Sequence, residues 1–218
     1  MQLDLRESWV SSLSLAWSFL VLAPHLLRHT FQPQINLGTN ANYVLLSHTA
    51  ITNGATTIIS GAGSRVVGIS PGISDVGTVS SIIASGATEF QNGTGEPTLA
   101  QSDLQNAIAS VSSLTPKVVS ANLSLADSAT GDSNAIFVFV APTALNTSAA
   151  ITVFLQNDAQ AANIYWVVGA ALTLGASTNI SGNFLVTAGT TIGASSTLYD
   201  RILSQDAVTL GASVVLVS

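Results

Sequence analysis

The chain has 218 residues, enough for one domain with a substantial core, and 47% of them are hydrophobic. Only 7% are charged, and the net charge of −6 leaves no basic footprint for a nucleic-acid partner. There is no cysteine, so disulfides and thiolate metal sites are excluded and the fold must rest on packing and backbone hydrogen bonds.

The N-terminus differs from the rest. The apolar run Trp17 to Ala23 follows Arg6 and precedes His25, Arg28 and His29. It is too short for a membrane span. Residues 1–30 therefore read as a signal peptide or N-terminal leader, with Val21-Leu22-Ala23 as a small-residue cleavage site. The expected mature protein is secreted, with no stable membrane span. Four sequons, at Asn92, Asn122, Asn146 and Asn179, fit export, although a chain rich in Asn, Ser and Thr also produces them by chance.

From about Leu37 to Ile83, short β-rich runs (Tyr43 to Leu46, Thr57 to Ile59, Arg65 to Ile69) alternate with turn signals at Asn53-Gly54, Gly61-Ala62-Gly63 and Pro71-Gly72. A helix is predicted near residues 99–113, because Leu104, Ile108 and Val111 recur at helical spacing. Leu99 is expected roughly on the same side, with Thr98 or Ser102 as the cap, and Pro116 lies beyond the end. From Ala135 the chain returns to strands and turns, with runs at Ile136 to Val140, Ile151 to Leu155 and Ile164 to Val168.

Three segments then repeat one pattern: Leu172-Thr173-Leu174-Gly175-Ala176-Ser177, Thr190-Thr191-Ile192-Gly193-Ala194-Ser195 and Val208-Thr209-Leu210-Gly211-Ala212-Ser213. Their offsets, 191 − 173 and 209 − 191, are both 18 residues. A fixed short period predicts an all-β solenoid in which each repeat is one turn stacked on the next. Strand alternation then points the aliphatics inward and lines up Thr173, Thr191 and Thr209 in one exposed column. Trp166, Phe184 and Ile202 should stack inside at the same phase, as should Leu174, Ile192 and Leu210.

Several segments resemble the β-helical ice-binding (antifreeze) proteins of cold-adapted microbes. They are Asn36-Leu37-Gly38-Thr39 with Tyr43 to Leu46 and Ile51-Thr52-Asn53, then Val67 to Pro71, then Gly131 to Phe139. The longest is Ala159 to Gly169, followed by Leu174-Gly175 and Gly182-Asn183-Phe184-Leu185. The resemblance spans residues 36–218 and implies an irregular, roughly triangular right-handed β-helix with one α-helix packed alongside. It also implies a flat face that adsorbs to the ice crystal surface and inhibits recrystallisation, and it brings Thr49 and Thr52 near the threonine column. Two segments depart from the family pattern. The stretch after the helix, Leu114 to Leu125, is shorter, and Ser60 to Gly68 replaces a tighter turn and carries Arg65.

Physical chemistry supports the same face. Stacked strands repeat at ~4.8 Å and like-facing residues along a strand at ~6.7 Å, a grid that can match an ordered water lattice. Threonine offers a methyl and a hydroxyl on a stiff χ1, so little rotamer entropy is lost on contact. Taken alone, the simpler explanation is the stronger one, that threonine favours strands and an exposed β-helix face needs soluble residues; the resemblance is what turns the reading to ice binding.

Catalytic candidates are few. His48 is the one histidine outside the leader, with no second histidine near for a metal. Asp127 with Asp132, and Asp200 with Asp206, could suggest carboxylate chemistry on a polysaccharide. However, Arg65, Lys117 and Arg201 are the only cations beyond the leader, so turn-capping is the better role for these aspartates. Gly61-Ala62-Gly63 lacks the lysine and context of a phosphate loop. The expectation is a non-enzymatic, monomeric ice-binding domain over 36–218, without cofactor or metal, acting through Thr49, Thr52, Thr173, Thr191 and Thr209. The alternative is an extracellular carbohydrate- or surface-binding β-helix module.

Overall fold

The computed structural model describes residues 35–54, 56–72, 83–112, 124–126, 136–156 and 158–218. The leader, Lys117, Asn122, Asp127 and Asp132 lie outside the described residues. Among the described residues the protein is mostly β with one long helix, and every strand pair is parallel. Parallel pairing follows from the repeat, because each copy runs in the same direction as the one before and lies beside it.

Five short strands form one sheet, in the spatial order Ile51–Asn53, Val208–Leu210, Thr190–Ile192, Leu172–Leu174 and Leu145–Asn146. A nine-stranded sheet has a main path running through Glu89–Asn92, Val66–Ile69, Tyr43–Ser47, Thr197–Ser204, Asn179–Val186, Ile164–Val168 and Phe137–Ala141. Val215–Val217 and Ile58–Ser60 extend it from the first half of Thr197–Ser204. In both sheets the N-terminal strands stack on the C-terminal ones, as Thr209↔Thr52, Leu45↔Ile202 and Leu216↔Ile59 record. These parallel sheets fit a β-helix.

The long strands Asn179–Val186 and Thr197–Ser204 bend where Gly182 pairs with Asp200. Both residues have positive φ, 123° and 103°. A Cβ at Gly182 would come within 2.8 Å of Ile164, so glycine is required there for space as well as for conformation. At the same bend Arg201 Nε donates to Asp200 Oδ1 at 2.8 Å. Arg201 Nη1 also donates to the carbonyls of Asn40 and Ala41, at 3.2 and 2.9 Å, tying the bend to the 3-10 turn Gly38–Asn42.

The core has two layers. Between the sheets lie Leu45, Trp166, Leu172, Leu174, Phe184, Ile192, Ile202 and Leu210. Both predicted stacks form, with Trp166↔Phe184↔Ile202 and Leu174↔Ile192↔Leu210 in register and buried. Phe139 adds to the first stack, its ring centroid 4.4 Å from that of Trp166, and Phe184 follows at 5.7 Å. Trp166 Nε1 donates to the Ser181 carbonyl at 2.9 Å, so these rings belong to the core and are not a sugar platform.

The second layer lies between the outer face of the large sheet and the helix Glu96–Ser112. Leu104, Ile108 and Val111 dock as their spacing predicts, joined by Ala100 and Ala107, against Tyr43, Leu46, Tyr165, Val167, Leu185 and Leu203. The start of the helix corrects the expectation. The Gly95 carbonyl accepts from Thr98 and Leu99 N–H at 3.1 and 3.2 Å, and Pro97 occupies the first turn, where its missing donor costs nothing. Thr98 is not the cap, since its hydroxyl shares a 2.6 Å bond with Ser70 Oγ, and Ser102 is exposed within the helix. Leu99 is 59% exposed, because five residues from Leu104 is well off the docking side at 3.6 residues per turn.

Candidate functional site

The five-stranded sheet presents one outward residue per strand. Leu172 and Leu174 point in and Thr173 points out, a buried–exposed–buried pattern repeated in Thr190–Ile192 and Val208–Leu210. Cross-strand register aligns Thr173↔Thr191↔Thr209↔Thr52 in one exposed row. The row continues to Asn146, which pairs with Thr173. Asn146 was singled out in the sequence only as a sequon. Its offset from Thr173 is 173 − 146 = 27 residues, and that longer step hides it from an 18-residue period.

The rows on either side of the threonines are built from the smallest residues. Two positions before them stand Ala50, Ala207, Gly189 and Ala171 by the same register. Two positions after stand Gly54, Gly211, Gly193 and Gly175, where a Cβ would meet the neighbouring repeat's backbone at 2.5 to 2.7 Å. These glycines let adjacent repeats close up, and with the alanines they flank the threonines with small residues. Beyond them the chain turns through Ala150, Ser177, Ser195, Ser213 and Thr56, all with φ between 58° and 64°. The same left-handed turn conformation recurs at these five positions.

Thr49 lies apart from this row. It sits in the turn before Ile51–Asn53, exposed, and its Oγ1 donates to Asp206 Oδ1 at 2.8 Å. His48 is half-buried in the same turn, its backbone N–H donating to the Asp206 carbonyl at 3.2 Å. Thus Asp206 ties down Thr49, and Asp200 ties down Arg201. Among the described residues no group of three or more His, Asp or Glu side chains could hold a metal. Among them, too, no helix is long and apolar enough to cross a membrane.

Comparison with known proteins fits this geometry. Residues 116–216 match the model of the ice-binding-like family. An ice-binding protein of Flavobacterium frigoris (strain PS1) is 29% identical over 182 residues, 69% of this chain. An ice-binding protein of Nostoc sp. (strain HG1) is 29% identical over 164 residues, 68% of this chain. The chain spans 64% and 61% of the lengths of these two relatives. Among solved structures, the ice-binding protein of the Antarctic ascomycete Antarctomyces psychrotrophicus superposes with a TM-score of 0.71 at 24% identity, covering 85% of this chain and 98% of that one. An ice-binding protein from an Antarctic biological consortium gives 0.72 at 23% identity, covering 86% and 92%. The C-terminal half of the chain is thus similar to the ice-binding-like family and the chain to these microbial ice-binding proteins, the likeness that the sequence segments implied, and the solved structures share its fold.

Proposed function

We propose that this chain is a secreted, monomeric, non-enzymatic ice-binding protein that adsorbs to ice through the row Thr52, Thr209, Thr191, Thr173 and inhibits recrystallisation. The observation that carries the reading is the in-register, exposed threonine row flanked by alanine and glycine. The two parallel sheets would then be sides of one irregular, roughly triangular right-handed β-helix, with the helix covering a different side.

The mechanism follows from the row. Hydroxyls and methyls repeat every ~4.8 Å along it, set by backbone hydrogen bonding rather than by side-chain flexibility. The β-branch of threonine limits χ1, so each contact loses little entropy on meeting an ordered water layer. A floor of alanine and glycine allows close approach over many small groups, none of which has to carry the affinity alone. The strands of this row contain no charged residue, so no ionic hydration shell has to be displaced there. Thr49, its hydroxyl held by Asp206, lies at the margin of the face and offers ice its methyl alone.

The test is a recrystallisation assay with substitutions at the centre of the row. Thr191→Tyr should abolish most of the inhibition by holding the surface off the crystal, with the melting temperature unchanged because the site is exposed. Thr191→Ser should weaken it less, by deleting a methyl and loosening χ1. Full activity in Thr191→Tyr would place the adsorbing surface elsewhere. Glycan-array binding by a parent that leaves ice unaffected would favour the carbohydrate-binding alternative.

A further inference from the structure

Three residues before the threonine row, each repeat enters the face through a corner, and the register places Ala170, Ala188, Asp206 and Thr49 there. Ala170 and Ala188 are small and half-buried. Asp206 is exposed and is the one charged side chain among these four. Its place is fixed. The Asp206 carbonyl accepts from Ser47 Oγ at 2.9 Å and from His48 N–H at 3.2 Å, and its carboxylate accepts from Thr49 Oγ1 at 2.8 Å. A carboxylate thus stands in an otherwise uncharged corner row, three residues from Thr209 and beside Thr49.

We infer that the charge of Asp206 limits adsorption at the Thr52–Thr209 end of the face. The inference rests on the ice-binding reading above. A carboxylate orders water around its charge, and pressing it toward a lattice of neutral, tetrahedrally bonded water strips or distorts that shell. The hydrogen bond to Thr49 draws that hydroxyl toward the charge and away from any other partner. The threonine row therefore binds best at Thr191 and Thr173, where the corner row carries alanine, and worst at Thr209 and Thr52. Residue 206 sets how much of the row is used.

Two substitutions separate charge from hydrogen bonding. Asp206→Asn removes the charge and keeps an oxygen that can accept from Thr49, whereas Asp206→Ala removes both. The measurement is the protein concentration that half-inhibits recrystallisation, with the melting temperature as the check on folding. Both variants should inhibit at a concentration at least about three-fold lower than the parent at equal stability. An active parent with neither variant improved overturns the inference and leaves the ice reading intact. A gain confined to Asp206→Ala also overturns it, since the bond to Thr49 and not the charge would then be responsible. A parent without effect on ice removes the ice reading and this inference with it.

Discussion

Thr190 and Thr191 are chain neighbours that the strand turns to opposite sides. Thr191 faces out in the row with Thr173 and Thr209, while Thr190 faces in between Leu172 and Val208 and is 2% exposed. Thr190 Oγ1 is buried without a hydrogen-bond partner, an arrangement that costs about 1–3 kcal/mol. Thr190→Val fills the same space without the orphaned hydroxyl and should stabilise the protein by about 1 kcal/mol, read as a higher melting temperature with unchanged ice activity. An equal or lower melting temperature would mean that the hydroxyl is satisfied. Tyr43 illustrates a different consequence of burial. Its phenol is pushed up to about 12, first by burial and then by Glu96 and Glu89. In the unfolded chain it ionises near pH ~10, so between these values unfolding releases a proton that the folded state retains. Its contribution to stability is complete below pH ~10 and is lost as pH rises toward 12. Melting temperatures measured across that window should fall more steeply in the parent than in Tyr43→Phe, and parallel curves would contradict this.

The helix Glu96–Ser112 covers the outer face of a sheet that is apolar on both sides, and that face explains both why it docks and which residues matter. Ile108→Asp should destabilise by about 3–5 kcal/mol, because it buries an unpaired charge or undocks the helix. Leu99→Asp, nine residues or two and a half turns earlier and 59% exposed, should change stability by no more than about 0.5 kcal/mol. Similar melting temperatures for the two variants would rule out this docking. The same helix shows where sequence reading reaches its limit. Leu104, Ile108 and Val111 were legible because periodicity follows the buried face, whereas the start depended on Gly95 and Pro97, which read equally well as a turn. In the repeats, an 18-residue period with no insertion fixed register directly, so Trp166, Phe184, Thr173, Thr191 and Thr209 all fell where alternation places them. Asn146 escaped because an insertion broke the period, and Thr49 was drawn toward the row although its hydroxyl is committed to Asp206. The pairing of Thr52 with Thr209 spans 209 − 52 = 157 residues, and no local pattern carries that information.

At the scale of the whole molecule, the helix and the large sheet are matched in length. Seven strands along its main path make six steps of ~4.8 Å, or ~29 Å. A helix of 17 residues spans ~25 Å at 1.5 Å per residue. It touches Glu89–Asn92 at one edge of that path and Phe137–Ala141 at the other, so it runs the height of the stack and returns the chain from one end to the other. This arrangement follows from the first repeat stacking on the last: once Tyr43–Ser47 has joined Thr197–Ser204, the intervening chain must cross the whole stack to reach Phe137. The repeat and the helix therefore make separable demands when the protein is lengthened. An in-frame second copy of residues 178–195 should insert one more repeat, because the new strands find in-register parallel partners on both sides. The threonine row would grow by one residue and recrystallisation inhibition should rise. The stack would then outgrow the helix by about another 5 Å and leave part of the layer around Val138 and Val140 less covered, so the melting temperature should not rise in proportion. Lengthening the helix by four residues as well should restore that cover and raise the melting temperature above that of the duplication alone. If the duplicated protein folds with unchanged activity, a longer threonine row does not strengthen adsorption. If helix extension adds no stability, matched length is not what holds the helix against the sheet.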